Sequence, residues 1–267
     1  MEYTVNDLKV YTKGNKNNKP IIFIHGFPYD HTMWDYQIDK LKENFYCVSY
    51  DIRGLGQSYI GDGQYTMEAF VWDLFSIIDG LHIEDPIVCG LSMGGYIALR
   101  AIEKEPERFA GVILCDTRAE ADNNEGKIAR SNAIDKINVE DVESFVNDFV
   151  PKCFHKKTPV RNPEMYERIF YTCKSQNSIG VKGALIAMLS RRDSTKSLKE
   201  IKVPTLVLVG RKDILTPPAV MKEMAKDIKK SKFYIVPKSG HMTPLENPEF
   251  VNEKVEKFLE KNYVSKS

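Results

Sequence analysis

No apolar stretch in these 267 residues approaches the roughly 18 needed to cross a bilayer as a helix. Charge of one sign is also missing. The 38 Lys and Arg against 37 Asp and Glu leave a net +1, and no basic stripe is interleaved with aromatics. Nucleic acid and membranes are therefore not expected as partners. The opening Met1-Glu2-Tyr3-Thr4-Val5-Asn6-Asp7 has no basic start followed by an apolar region, so no signal peptide is read there. Cysteine is scarce and odd in number, at five. Cys47, Cys89 and Cys115 sit in apolar runs that read as buried strands, and Cys153 and Cys173 lack the paired spacing of a zinc site. Cysteines placed this way behave as small hydrophobes, and a reducing cytoplasm is expected. No cluster of ligating residues implies a metal, and no organic cofactor is expected. Histidine is scarce too: only His25, His31, His82, His155 and His241 could serve as a base.

What remains is enough for a sizeable core. At 42% apolar residues, the chain reads as one large domain or a domain with an insertion. Leu8 to Thr12 alternates like a half-exposed strand. Ile21-Ile22-Phe23-Ile24, Phe45 to Tyr50, Ile87-Val88-Cys89 and Gly111 to Cys115 are continuous apolar strands. Between them lie helical patterns, roughly Thr32 to Glu43, a helix capped by Thr66 with Phe70, Leu74, Ile77 and Ile78 inward, and one from Met93. That alternation predicts a mostly parallel sheet covered on both faces, with ligands at the carboxyl ends of its strands. The rhythm breaks after Asp116. From about Arg118 to Lys196 only helices are read: Glu125 to Ile137, Val139 to Phe149, Pro163 to Gln176 and Ile179 to Arg191. This block, 118–196, is expected to be a cap inserted into a core made of 1–117 and 197–267. The strand pattern returns at Val203 to Gly210. A helix from Pro217 to Lys229, a strand at Phe233 to Val236 and a helix from Pro248 to Tyr263 complete the chain.

The run Ile87-Val88-Cys89-Gly90-Leu91-Ser92-Met93-Gly94-Gly95 passes from strand pattern to helix pattern through Gly90-x-Ser92-x-Gly94. This is the spacing of a nucleophile elbow, in which a strand turning straight into a helix lifts a serine hydroxyl off the sheet edge. By itself the pattern also fits a glycine-rich turn with an ordinary serine. A serine needs a base, and His241, in Ser239-Gly240-His241 just past the last predicted strand, is the candidate at the active edge. The acid should come from another strand end, where Asp213 and Asp116 compete.

With His25-Gly26-Phe27-Pro28, Asp51-x-Arg53-Gly54-x-Gly56-x-Ser58, Gly90-Leu91-Ser92-Met93-Gly94-Gly95, Gly210-Arg211-Lys212-Asp213 and Ser239-Gly240-His241 in this order, the chain resembles the α/β-hydrolases over nearly its whole length. The resemblance implies an α/β-hydrolase fold with a helical cap. It also implies a triad of Ser92, Asp213 and His241, with Asp116 demoted to a loop residue pairing with Arg118 or capping local backbone. The oxyanion hole would be the main-chain N–H groups of Phe27 and Met93, since Pro28 has none. His25 is expected to fix its own loop rather than move a proton, and Asp51 to Ser58 to be scaffold.

Asp116-Thr117-Arg118-Ala119-Glu120 before a small helical cap looks like the carboxylesterases related to 3-oxoadipate enol-lactonases. Serine at the elbow speaks against haloalkane dehalogenases and epoxide hydrolases, which carry aspartate there. Pro28 also resembles the serine perhydrolases. The expected activity is hydrolysis of small, fairly apolar carboxylic esters through an acyl-enzyme. The alternatives are an enol-lactonase or C–C bond hydrolase of aromatic catabolism, and a non-catalytic ligand-binding member. Expected substrate contacts are Leu215 and Met242, with Trp34, Met188 and Leu189 from the flanking helix and cap, and Arg118 as a holder of a substrate carboxylate.

Overall fold

The computed structural model describes residues 1–264. Eight strands form one sheet in the order β1-β2-β4-β3-β5-β6-β7-β8. They are β1 (Glu2–Val5), β2 (Leu8–Lys13), β3 (Pro20–Ile24), β4 (Tyr46–Tyr50), β5 (Ile87–Leu91), β6 (Gly111–Cys115), β7 (Thr205–Gly210) and β8 (Ser231–Val236). From β4 to β8 every pairing is parallel, and only the pairings of β2 with β1 and with β4 are antiparallel. The fold is the α/β-hydrolase fold expected from the motifs. β5 and β6 are buried at every residue, as a parallel strand covered on both faces must be. Burying one such Ile, Val or Leu side chain stabilises the fold by about 1.5–3 kcal/mol.

The registers bring the strand ends level. Ile24 pairs with Tyr50 and Gly90, Leu91 with Cys115, and Cys115 with Leu208. The residues that follow (His25, Asp51, Ser92, Asp116) consequently emerge along one rim.

Helices α1 (Asp35–Leu41), α2 (Met67–Gly80) and α3 (Met93–Lys104) connect the first strands. Thr66 caps α2 by accepting a hydrogen bond from the Ala69 N–H at 3.1 Å, as its position predicts. The helix expected over Thr32 to Glu43 is divided, with a 3₁₀ turn at His31–Trp34 before α1. Asp30 caps that turn through the Thr32 N–H and ends the extended chain there.

Between β6 and β7 come α4 (Asn124–Val139), α5 (Val142–Cys153), the short α6 (Thr158–Arg161), α7 (Pro163–Lys174) and α8 (Ser178–Leu189). After them, α9 (Pro218–Asp227), α10 (Thr243–Glu246) and α11 (Pro248–Tyr263) close the fold. The single-turn α6 and α10 fall below the length at which apolar periodicity can register. β1 has no signature in the sequence either, because it is an almost fully exposed edge strand with no apolar run. Its turn is legible afterwards: Asn6 and Asp7 both take positive φ, 46° and 63°, the backbone of a tight hairpin. Among the described residues no helix is long and apolar enough to cross a membrane, and all five cysteines are buried thiols.

Candidate active site

Ser92 occupies the junction of β5 and α3 with φ 52° and ψ −113°. A non-glycine residue there is strained by about 1–3 kcal/mol and persists only where its surroundings hold it. The hold is visible on both sides. The Ser92 N–H donates to the Cys115 carbonyl at 3.0 Å, and the Thr117 hydroxyl donates to the Ser92 carbonyl at 2.8 Å. The flanking glycines have no room for side chains: a Cβ on Gly90 would lie 2.3 Å from the Gly94 carbonyl oxygen, and one on Gly94 would lie 2.2 Å from that of Ile24. The Ser92 main chain is thereby wedged between β3, β6 and its own helix. The N-terminal end of α3 starts immediately behind it, with its partial positive charge toward the rim.

His241 and Asp213 come from loops after β8 and β7. Their side chains are almost fully enclosed, and His241 Nδ1 lies 2.8 Å from Asp213 Oδ2. The carboxylate is further held by the N–H groups of Leu215 and Thr216, at 2.8 and 3.0 Å from Oδ1, and by the Thr216 hydroxyl, 2.6 Å from Oδ2. Burial alone would raise the Asp213 pKa. The His241 charge and the bonds from His241 and Thr216 outweigh it and hold the group below the ordinary carboxylate value. The His241 main chain is anchored from the helical block, its N–H donating to the Cys153 carbonyl at 2.7 Å.

Asp116 stands beside this pair, fully buried. It does not pair with Arg118, as expected from the sequence, but bonds to Gly210 and Thr243. One donor atom from each of Asp116, Asp213 and His241 lies within 4.8 Å of the others. Those atoms face N–H and O–H donors of the protein and one another's hydrogen bonds, which suits a hydrogen-bonded cluster better than a cation.

Phe27 and Met93 are both buried, and among the described residues neither main-chain N–H donates a hydrogen bond. The Phe27–Pro28 peptide is cis. His25 is tied at both ring nitrogens: Nδ1 lies 2.8 Å from the Gly26 carbonyl, and Nε2 accepts the Ile52 N–H at 2.9 Å. Those partners require a neutral ring with its proton on Nδ1, and burial accordingly lowers the pKa. His25 therefore buttresses the loop that carries Phe27.

A cavity of about 470 Å³ lies in the helical block and meets the core at Phe27 and Leu215, with Ser92, Asp213 and His241 outside its lining. Phe27 and Leu215 line its floor, with Phe145, Phe149 and Leu185 as apolar walls and Arg130 as a basic one. The Phe145 and Phe149 rings stack at 5.3 Å, and both lie within 6 Å of the Phe27 ring. Leu215 was expected from the sequence; α5, Leu185 and Arg130 were not. A pair of phenylalanines four apart on α5 shares one face, a signal that in sequence is indistinguishable from ordinary packing.

Other expected contacts lie elsewhere. Trp34 is wholly buried in the core, 5.3 Å from the Phe23 ring. Met242 is fully buried behind His241, and Leu189 does not line the cavity. Met188 is buried behind the wall, its sulfur 3.4 Å from Arg130 Nη1. Arg118 pairs with Glu120 at 3.3 Å and lines a separate crevice with Arg100 and Arg192. The basic groups lining the cavity are instead Arg130, Lys136 and Lys152; Arg130 Nε meets Asp122 Oδ2, while Arg191 holds the other oxygen of Asp122 at 2.8 Å.

A sheet of this order, with a serine elbow and a carboxylate–imidazole pair at its carboxyl rim, defines a class. The family profile described as alpha/beta hydrolase fold matches residues 19–248, and the chain belongs to that family. It is a hydrolase by this kinship, with esterases and enol-lactonases among its relatives. It is 32% identical to the AB hydrolase superfamily protein YisY of Bacillus subtilis, over 91% of this chain and 92% of that protein. Identity to 3-oxoadipate enol-lactonase 1 of Acinetobacter baylyi is 28%, over 91% of this chain and 89% of that protein. Among solved structures, the chain is similar to a thermophilic esterase from Thermogutta terrifontis, with a TM-score of 0.93 and 34% identity over 98% of this chain and 99% of that one.

Proposed function

We propose that this protein is a serine carboxylesterase for small, fairly apolar esters, with Ser92 as nucleophile, His241 as base and Asp213 as the acid. The observation that carries the reading is the enclosed His241–Asp213 contact at 2.8 Å, on the same rim as the strained serine. Asp213 holds the His241 proton on Nδ1, which leaves Nε2 free to take the proton of Ser92 as its oxygen attacks the ester carbonyl. Negative charge then develops on the carbonyl oxygen, and the N–H groups of Phe27 and Met93 are its donors. Losing one such donor typically costs about 2.7–4 kcal/mol of barrier. The alcohol leaves with the proton from His241. Water, deprotonated by the same ring, releases the acid from Ser92.

Residues 118–196 serve in this reading as a cap over a core of 1–117 and 197–267, a division supported by the five helices inserted between β6 and β7. The cavity there, about 470 Å³, offers the apolar side chains of Phe27, Phe145, Phe149, Leu185 and Leu215 to a short or medium acyl group, with charged residues also in its lining. Five buried thiols suit a reducing cytoplasm. A second reading, the enol-lactonase, is favoured by the Acinetobacter relative and by Arg130 in the cavity wall; its ring opening is the same acyl transfer.

The test is turnover of p-nitrophenyl esters of increasing chain length. Activity should disappear in Ser92→Ala and fall about 10⁴-fold in kcat in Asp213→Asn, which presents the wrong tautomer. A fluorophosphonate should attach at Ser92. Full activity in Ser92→Ala would refute the assignment, and turnover of a carboxylated enol-lactone well above that of simple esters would select the second reading.

A further inference from the structure

Asp116 follows β6 at the point where a rival acid was expected, yet its contacts describe a different task. The residue takes φ 45°, and its own N–H donates to the Leu208 carbonyl at 2.9 Å. That conformation turns its side chain under the rim. There Oδ1 accepts the Gly210 N–H at 2.8 Å, and Oδ2 meets the Thr243 N–H at 3.3 Å and the Thr243 hydroxyl. Gly210 is the last residue of β7, three before Asp213. Thr243 follows His241 by two. One carboxyl group thus bridges the segments that deliver the acid and the base.

The two segments also touch directly. A Cβ on Gly210 would lie 1.7 Å from the Gly240 carbonyl oxygen, so there is no slack through which a shift of one loop could be absorbed by the other. An apolar residue in place of Asp116 would leave the Gly210 N–H and the Thr243 hydroxyl buried and unpaired.

We propose that Asp116 is a positioning residue, a buried strut that ties Gly210 to Thr243 and so sets the angle at which His241 meets Asp213 and Ser92. The inference rests on the triad reading above. Burial, and then the negative charge of Asp213, push the Asp116 carboxyl well above the usual range, against the lowering effect of the Thr243 and Gly210 bonds. The groups facing it are Asp213, His241 and the Cys115 thiol, itself pushed up by its bond with Cys89 and by burial.

The experiment compares Asp116→Ala, Asp116→Asn, Thr243→Val, Thr243→Ser and the Asp116→Ala/Thr243→Val double variant on p-nitrophenyl acetate. Rates are expressed per site titrated with a fluorophosphonate. Asp116→Ala and Thr243→Val should each lower kcat ten- to a hundredfold with KM within about twofold. The acid limb of the kcat/KM profile should move to lower pH as His241 loses its hold on Asp213. The double variant should be no worse than Asp116→Ala, since both remove one tie. Asp116→Asn and Thr243→Ser, which keep a neutral hydrogen-bonding group, should restore most of kcat. The strut is refuted if kcat per titrated site and the pH profile stay at wild-type values, or if the two losses are additive. Should Asp116→Ala fail to fold, Thr243→Val decides the matter by the same two readouts. Ser92→Ala, run in parallel, tests the triad by itself: full activity there would remove the triad reading, whereas a Ser92→Ala that loses its activity beside unaltered Asp116 and Thr243 variants would remove only the strut.

Discussion

The Thr216 hydroxyl stands between Asp213 and His241, 2.6 Å from Asp213 Oδ2 and 3.2 Å from His241 Nδ1. Asp213 Oδ2 thus takes bonds from two side chains at once, and Thr216 helps keep the carboxylate ionised and pointed at the ring. Thr216→Val conserves volume while deleting that bond. A hydrogen bond to a charged group is worth about 1.5–3 kcal/mol, and the lower end of that range is roughly tenfold in rate. Thr216→Val should accordingly lower kcat/KM about tenfold on p-nitrophenyl acetate, mostly in kcat. A change below twofold would show that the two main-chain N–H groups on Oδ1 suffice to hold Asp213.

The elbow makes a harsher prediction. A Cβ on Gly94 would meet the carbonyl oxygens of Ile24 at 2.2 Å and His25 at 2.8 Å, both backbone atoms that cannot rotate aside. Overpacking of this kind costs about 1–3 kcal/mol or more, and relief requires α3 to move away from β3. Gly94→Ala should give a lower Tm and a folded fraction that no longer reacts with a fluorophosphonate. Normal labelling of Gly94→Ala would mean the helix start has room to shift without moving Ser92.

The parts of this molecule legible in sequence are those whose physics is local. Ile21 to Ile24, Ile87 to Cys89 and Gly111 to Cys115 announce buried parallel strands by composition. Gly90 and Gly94 announce a turn that excludes side chains, and the residues following each strand end had to share a rim. Contacts made across the fold were not legible. Arg118 and Arg130 are both arginines near the start of the helical block, and nothing in their surroundings in the chain says which one faces the cavity. That depends on how α4 and α8 pack. Trp34 reads more readily as core than as cavity wall, though either environment is apolar, and the structure buries it in the core. Asp116 had looked dispensable because its partners, Gly210 and Thr243, lie about a hundred residues away.

Asp51 and His31 form a second carboxylate–imidazole pair, 2.8 Å apart, with the Tyr11 ring stacked on the imidazole at 3.5 Å. Burial alone would raise the Asp51 pKa and lower that of His31, but their mutual bond and attraction win in both, so Asp51 is lowered and His31 raised. A lowered carboxylate contributes stability that is present above its unfolded value of about 3.9 and lost as pH falls through the folded one. A raised imidazole contributes stability that is full below about 6.5 and lost as pH rises through its folded value. The pair is therefore strongest between those limits. The Tm gap between wild type and His31→Gln should be about 2–4 °C near pH 5.5 and should shrink by pH 9 to whatever the lost stacking on Tyr11 contributes. A gap independent of pH would mean that the imidazole stays neutral throughout.

Chain-length preference should be set by α5. Phe149 is half-buried, its ring stacks on Phe145, and both rings close over Phe27 at the floor of the cavity. Phe149→Ala opens space at the end of the cavity that an acyl chain of four to six carbons would need, while leaving the rim untouched. Because the ring is only partly buried, the stability cost should stay below the roughly 3–5 kcal/mol of a fully buried Phe→Ala change. The ratio of kcat/KM for p-nitrophenyl hexanoate over acetate should rise several-fold, driven by KM for the longer ester, with kcat for acetate held within about twofold. An unchanged ratio would place the acyl chain in some other direction from Ser92 and would turn the space beside Phe27 and Leu215 into a site for the alcohol.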